Sequence, residues 1–175
     1  MVSVVLSLGS NLGNRGINIG RMVCALEKIL VLPLRKSCLM ETEPVGVFED
    51  QPNFYNLIIY SGYKSSPERL LLECNEIELM MGRDNKKMLA PRIADIDILL
   101  YGNMSMKTES LTIPHPAILQ RRFCIEGLNQ LVPDWVIPGN GKKINQFHNN
   151  MKPELKNQKI RFLENLTQDQ FDGRK

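Results

Sequence analysis

Val2, Val4, Leu6 and Leu8 alternate with Ser3, Val5 and Ser7, a period of two that predicts a strand over 2–8 ending at Gly9-Ser10-Asn11-Leu12-Gly13. The period then becomes helical. Ile19, Met22, Val23, Leu26, Ile29 and Leu30 recur at that spacing, with Asn14 as the cap and Pro33 as the stop. A weaker extended run covers 35–42, and Glu43 to Asn53, with Pro44, Gly46 and Pro52, reads as a long functional or mobile loop. Phe54 to Tyr63 is a strand. Ser66-Pro67-Glu68 starts a helix whose stripe is Leu70, Leu71, Cys74, Ile77 and Met81 and whose end is Gly82. Arg83 to Pro91 is a second irregular loop, and Ile93 to Tyr101 a strand in which Ile96, Ile98 and Leu100 alternate with Asp95, Asp97 and Leu99. A short extended piece at Leu111-Thr112-Ile113, a turn at Pro114-His115-Pro116 and a helix from Arg122 to Leu131 follow. Leu155, Lys159, Phe162, Leu163 and Leu166 fit either an amphipathic terminal helix or a frayed tail.

The order β-α-β-β-α-β predicts an α+β protein with a ferredoxin-like antiparallel sheet, helices on one face and the other face available, plus a C-terminal extension. With 175 residues the chain supports one core and not two, so it reads as a single catalytic domain, core 1–138 with a basic extension 139–175. The net charge of +3 belongs to that extension, whose eight Lys/Arg against four Asp/Glu leave the body at −1. A basic surface of nucleic-acid size is therefore excluded. The first apolar run has no basic flank and is too short for a signal-peptide core, and no run reaches membrane length. Cys24, Cys38, Cys74 and Cys124 are widely spaced beside apolar runs, which predicts buried, reduced thiols and a cytoplasmic protein.

The strand alternation changes the picture at Asp95 and Asp97. It places both carboxylates on one face, about 7 Å apart, while Ile96 and Ile98 anchor the other face in the core. Like charges this close call for a cation, and paired carboxylates completed by substrate phosphates are a common way to hold Mg²⁺. A solvated strand face is the plainer alternative, but Asp is a poor strand former. Arg83, Lys86, Lys87, Arg92, His115, Arg121 and Arg122 flank this strand in sequence and could supply donors to a polyphosphate; singly, each would read as surface charge. Phe54 and Asn56 share a strand face, suited to stacking a flat heterocycle and bonding its edge; Phe123 is of the same kind. Asn75 and Glu78, three apart on the second helix, either aim at a site or mark its wet side.

Other motifs are plainer. Gly9, Gly13 and Gly16 have neither dinucleotide-fold nor P-loop spacing, so Gly9-Ser10-Asn11 reads as turn chemistry. His148 has no companion ligand and is assigned nothing. A nucleotidyltransferase would keep its Gly-Ser and Asp-x-Asp in one small unit, whereas here they lie far apart, and an RNA-binding sheet would show aromatics on its central strands. The first strand has none.

The ordered blocks Leu8-Gly9-Ser10-Asn11-Leu12-Gly13, Asp50-Gln51-Pro52-Asn53-Phe54-Tyr55-Asn56, Ile77-Glu78, Gly82-Arg83, Pro91-Arg92, Asp95-Ile96-Asp97-Ile98, Ile113-Pro114-His115-Pro116 and Arg121 with Phe123 resemble the 6-hydroxymethyl-7,8-dihydropterin pyrophosphokinases of folate biosynthesis. They cover most of 4–138. The resemblance implies transfer of diphosphate from ATP to the pterin's hydroxymethyl oxygen, releasing AMP, with Mg²⁺, two ions with ATP, held by Asp95 and Asp97. It implies catalytic roles for Arg83, Arg92, Asp95 and Asp97, and a pterin site of Thr42, Pro44, Val45, Phe54, Asn56 and Phe123. It implies ATP contacts at Asn75, Glu78, Lys86, Lys87, Arg92, Ile98, Thr112, His115 and Arg121. It further implies a monomer that uses neither nucleic acid nor membrane, with the loops at 43–53 and 83–91 closing over the substrates. The chain departs from the family pattern at Met88-Leu89-Ala90, where a basic residue and often Trp precede the Pro-Arg pair. Lys86 or Lys87 stands in for a loop arginine, and Ser110 occupies a position where some members carry Arg.

Overall fold

The computed structural model describes residues 1–46, 50–83 and 90–163. Along the chain come β1 (Val2–Ser10), α1 (Arg15–Leu26), β2 (Val31–Lys36), β3 (Leu39–Thr42), β4 (Phe54–Tyr63), α2 (Pro67–Met80) and β5 (Asp95–Tyr101). After these come β6 (Met106–Lys107), β7 (Thr112–Ile113), a 3₁₀ turn at Pro116–Leu119, α3 (Arg122–Leu131), α4 (Ile144–Asn149), α5 (Pro153–Lys156) and β8 (Ile160–Leu163). The caps read from the sequence are in place: Asn14 accepts from the Ile17 amide and Ser66 from the Arg69 amide. α1 ends at Leu26, four residues before the expected Leu30, because the chain from Val31 is drawn into pairing with β4.

The main sheet runs β5-β1-β4-β3-β8, with β2 and β3 laid in series along β4 and every pair antiparallel. β6 and β7 form a small separate ladder. α1 and α2 pack against the face that carries Leu6, Leu8, Leu57, Ile59, Ile96 and Ile98. The opposite face, expected to be left available, carries a second core: α3 lays Cys124, Leu128 and Leu131 against Val5, Met40, Ile58 and Leu99. Helices thus stand on both faces. The apolar stripe of α3 and the apolar partners beneath it require this, since either would otherwise face water. α3 comes close enough to the sheet that a Cβ on Gly127 would overlap the Ile58 side chain.

Through residue 163 the C-terminal region is neither the terminal helix nor the frayed tail expected of it. Pro153 and the turn at Asn157 interrupt any continuous helix, and Ile160–Leu163 adds as a strand to the edge of β3, where it satisfies backbone groups that an open edge would expose. Leu166 lies outside the described residues. The four cysteines are free, and Cys74 and Cys124 are buried, but Cys24 and Cys38 are exposed. Cys24 falls one step off the α1 stripe of Met22, Val23 and Leu26.

Gly127→Ala is expected to destabilise the protein by about 1–3 kcal/mol, the usual cost of forcing extra volume into a packed interface, as read from urea unfolding. An unchanged midpoint would mean that α3 does not press on Ile58.

Candidate functional site

Gly9 in β1 lies opposite Asn56 of β4 and Asp95 of β5, and Ser7, two residues earlier on the same face, lies opposite Ile58 and Asp97. Met40 of β3 extends the first row beyond Asn56. Both aspartates therefore project on the α3 face of the sheet, beyond the N-terminal end of that helix. Gly9 is part of the strand, not of a turn as its sequence suggested. A Cβ there would stand 3.3 Å from Asn56 Oδ1, 3.6 Å from Asp95 Cβ and 3.7 Å from a ring carbon of Phe54, so glycine keeps the floor of the site open. Above this floor is a cavity of about 300 Å³. A larger groove of about 810 Å³ runs between α1 and α2, but it lies on the other face, away from the paired acids.

Charge in the cavity is closely matched. Arg83 Nη1 bridges Glu78 and Asp95 Oδ1, the latter at 2.9 Å, and Arg92 Nη2 meets Asp95 Oδ2 at 2.9 Å. Glu78 belongs to α2, is only 4% exposed, and accepts from the Ile96 amide on the outer edge of β5. Burial pushes its carboxyl up to about 7, with Arg83 and the Ile96 amide pulling the other way. Among the described residues, Asp97 has no ion pair closer than His115 Nε2 at 3.9 Å. Loss of hydration within the cleft, followed by the charge of Asp95, raises its pKa. His115 Nδ1 accepts from the Ala117 amide, which leaves Nε2 as the protonated nitrogen of the neutral ring, turned to Asp97. Arg92 is fixed by Asn11, whose Oδ1 accepts from the Arg92 amide at 2.7 Å and whose own amide donates to the Arg92 carbonyl at 3.0 Å. Its guanidinium carbon lies 5.5 Å from the Phe54 ring centre, and its Nε is buried with no partner among the described residues.

The other wall is built for a flat, hydrogen-bonding ligand. Phe54 of β4 and Phe123 of the first turn of α3 both line the cavity, with Asn56 between sheet and cavity. Asn56 is 4% exposed and donates one Nδ2 hydrogen to Thr42 Oγ1 at 2.8 Å. That bond fixes the carboxamide plane and leaves its carbonyl and second N–H for a ligand.

Of the residues singled out from the sequence, Thr42, Val45, Phe54, Asn56, Arg83, Arg92, Asp95, Asp97, His115, Arg121 and Phe123 line this one cavity. Pro44 lines a small adjoining cavity that shares Thr42, Val45, Arg121 and Phe123. Glu78 stands behind the site and reaches it through Arg83. Asn75 is exposed on α2, Thr112 sits in β7, and the Ile98 side chain is packed in the opposite core; none of the three lines the cavity. Lys86, Lys87, Met88 and Leu89 lie outside the described residues. Glu43, Gln51 and Ala117 line the cavity without having been singled out, and the bracing role of Asn11 was read as turn chemistry. An asparagine directly after a β-strand reads as a turn former, and its long-range partner Arg92 leaves no mark at that spacing.

Asp95 and Asp97 are the paired carboxylates here, with Glu43 also on the cavity wall, and among the described residues no cluster of three or more His, Cys, Asp or Glu could hold a metal unaided. That set fits Mg²⁺, which keeps several waters and takes phosphate oxygens in addition to one or two carboxylates. It does not fit a structural metal, which needs a closed protein cage.

The family model for 7,8-dihydro-6-hydroxymethylpterin-pyrophosphokinase (HPPK) matches residues 5–133. The chain is 34% identical to the 2-amino-4-hydroxy-6-hydroxymethyldihydropteridine pyrophosphokinase of Aquifex aeolicus, across 87% of this chain and 96% of that one. It is 36% identical to the folic acid synthesis protein fol1 of Pneumocystis carinii, across 98% of this chain but 26% of that protein. The chain thus spans about a quarter of the length of some of the relatives it matches. Among solved structures, a Plasmodium falciparum HPPK-DHPS crystal structure superposes with a TM-score of 0.69 at 16% identity, across 85% of this chain and 45% of that one. At that identity the likeness is one of fold.

Glu78 has a testable signature. Its folded pKa, about 7, lies above the ordinary 4.5, so between those values the folded protein binds more protons than the unfolded chain and stability falls as pH rises. Glu78→Gln is expected to flatten that decline in urea unfolding across the same window. A variant that declines in parallel with the wild type would exclude Glu78 as its source.

Proposed function

The chain belongs to the 7,8-dihydro-6-hydroxymethylpterin-pyrophosphokinase family, and we propose that it transfers diphosphate from ATP to the hydroxymethyl oxygen of 6-hydroxymethyl-7,8-dihydropterin, releasing AMP, as a step of folate biosynthesis. One observation carries this reading. A single cleft holds an Asp–Asp pair surrounded by arginines at one side and two phenylalanines with a fixed carboxamide at the other. The first set suits a triphosphate and the second a pterin.

Asp95 and Asp97 are the residues that would hold Mg²⁺, two ions in company with ATP. When bound, the metal offsets charge on the transferring phosphorus oxygens and supplies Lewis-acid polarisation. The chain's own residues do the rest by positioning. Phe54 and Phe123 sandwich the ring, and Asn56 reads its hydrogen-bonding edge while Thr42 keeps the amide from rotating. Arg83 and Arg92 each give one N–H to Asp95 and have further donors to turn to phosphate oxygens; Arg92 also has its buried Nε without a partner among the described residues. Glu78 steadies Arg83, so that guanidinium needs little reorganisation when the nucleotide enters. His115 and Arg121 add donors at the α3 side, and Lys86 and Lys87 would join from the segment above. Asn75, Ile98 and Thr112 line no part of the cavity, so any ATP contact from Ile98 or Thr112 would come through their backbone.

The protein works as a monomer in the cytoplasm, with no nucleic acid or membrane partner, and as a single catalytic domain. No helix among the described residues is long and apolar enough to cross a membrane. A second reading, nucleotidyl transfer, would release pyrophosphate, so the nucleotide product separates the two.

Asp97→Ala is expected to lower Mg²⁺-dependent AMP formation by at least about 10³-fold, a loss of the order seen when electrostatic stabilisation is removed, with the unfolding midpoint preserved. Wild-type-like turnover would remove the metal assignment. Because Asp97 must be ionised to ligate metal and its pKa is raised, apparent Mg²⁺ affinity should weaken as pH falls through a value above the ordinary carboxylate range. Isothermal titration of Mg²⁺ with a nonhydrolysable ATP analogue across pH would read that midpoint, and one at or below 3.8 would contradict it. Asn56→Ala should weaken pterin binding about tenfold, as expected for loss of a buried hydrogen-bonding group, while ATP binding changes less than twofold. Equal losses in calorimetry would count against the division of the cleft.

A further inference from the structure

α3 delivers two residues to the cleft, Arg121 at its N-cap and Phe123 in its first turn, yet Arg121 makes no side-chain cap. The missing partner comes from the far end of the chain. Gln158 Oε1 accepts from the Arg122 amide at 2.8 Å, and its Nε2 donates to the Gln120 carbonyl at 2.9 Å. One carboxamide therefore clasps the backbone on both sides of Arg121. The clasp is reciprocated. Arg122 Nη1 donates to the carbonyls of Lys156 at 2.9 Å and Gln158 at 3.2 Å, and Arg122 Nε donates to Glu126 Oε1 at 3.1 Å. Arg122 is thus no solvated helix-start charge but the anchor of a crossing segment. Glu126 Oε2 meets His148 Nε2 at 3.1 Å, which ties in α4 as well.

The same segment reaches the opposite wall. Lys159 pairs with Glu43 at 2.8 Å, and β8 is zipped to β3 with Ile160 opposite Thr42, the residue that fixes Asn56. Between the segment and the cleft remains only a small cavity of about 80 Å³, bounded by Thr42, Val45, Arg121 and Phe123 on one side and by 157–160 on the other. The family match ends at residue 133, so the crossing segment lies wholly beyond it.

We propose that residues 156–163 form a strap completing the acceptor side of the cleft, with Gln158 as its positioning residue. Gln158 holds the first turn of α3 so that Phe123 stands at a fixed separation from Phe54, and Lys159 with β8 holds the Thr42 end of the facing wall. Among the described residues the strap touches neither the Asp95–Asp97 pair nor Arg83 and Arg92 and meets the nucleotide side at Arg121, so its effect falls more on the pterin than on the nucleotide. This role presumes that the Phe54–Phe123 wall takes the pterin.

The experiment compares wild type, Gln158→Ala and Gln158→Glu in AMP formation, with KM for each substrate and kcat measured separately, and follows amide hydrogen exchange at 121–124 without substrates. Loss of a helix N-cap corresponds to about a fivefold change in an equilibrium, so Gln158→Ala should raise the pterin KM about fivefold. The ATP KM, reached through Arg121, should rise less than half as much, and exchange at the start of α3 should quicken while α2 is unchanged. Gln158→Glu should fall between, since a carboxylate still accepts from the Arg122 amide at a helix N-terminus but cannot donate to the Gln120 carbonyl. Equal rises in both KM values, an unchanged pterin KM, or unchanged exchange at 121–124 would overturn the proposal. Should Gln158→Ala not fold, Gln158→Glu carries the same comparison against wild type. If the wild type forms no AMP, the reaction assignment alone fails, and the strap is judged by exchange at 121–124.

Discussion

The register of β1 against both its neighbours is the constraint on which the site depends. With Gly9 between Asn56 and Asp95, and Ser7 between Ile58 and Asp97, the polar positions of three strands fall into adjoining rows on one face. Side chains alternate strictly along a strand, so a slip of one residue would turn both aspartates into the core under α1 and α2 and bring Ile96 and Ile98 into the cleft. That slip is prevented by the apolar set on the opposite face. Leu6, Leu8, Leu57, Ile59, Ile96 and Ile98 are each 4% exposed or less, and exposing even one such side chain costs about 1.5–3 kcal/mol. The acids are held in place by the hydrophobic residues that alternate with them.

Placing charge at the edge of a sheet creates a second difficulty, and the protein meets it from both sides of the strand. β5 is the edge strand beyond β1. Its Ile96 amide is satisfied by Glu78 and its Leu99 carbonyl by the His115 amide, so the edge is closed by groups that also serve the cleft. Glu78 is buried and would be costly as a lone charge; Arg83 offsets that charge and at the same time reaches Asp95. The pair is asymmetric: Asp95 is bonded by two arginines, while among the described residues the ion-pair partner of Asp97 is His115 at 3.9 Å. Burial, and after it the charge of Asp95, raises the pKa of Asp97.

Local periodicity made the central elements legible: the β1, β4 and β5 segments, the capped starts of α1 and α2, and α3 from Arg122 to Leu131. It also placed Asp95 and Asp97 on one face and Phe54 with Asn56 on one face, because a period of two is a local property. What it could not show is which face α3 would take. Val5 in β1, Ile58 in β4 and Leu99 in β5 sit on the face that carries the polar site residues and are the apolar hints that this face is covered as well. Contacts between residues distant in sequence were equally invisible. Asn11 bracing Arg92 across 81 positions, and Lys159 reaching Glu43 across 116, depend on where the chain returns in space, and neither residue differs in type from an ordinary turn or surface residue. The tail misled for a related reason: four residues, three apolar and one charged, are too few to distinguish a strand from a turn of helix, and only the open edge of β3 decides between them.

Asn56 and Gly9 in interior strands, and Asp95 and Asp97 in the edge strand, are all poor strand formers, and the sheet tolerates them because each serves a neighbour or the cavity. The walls rising from this floor come from separate parts of the chain: the 43–45 segment, the turn before α3 with the first turn of α3, and Arg83 with Arg92 at the ends of the 84–91 stretch. None of these walls is a continuous element of the sheet, so each needs its own fastening. Asn11 fastens Arg92, Glu78 fastens Arg83, and Thr42 fastens Asn56. Among the described residues of 5–133, the extent of the family match, α3's first turn has no such partner from another segment; its fastening comes from the segment that returns as β8. A rigid floor with separately fastened walls allows one wall to loosen without disturbing the acids beneath.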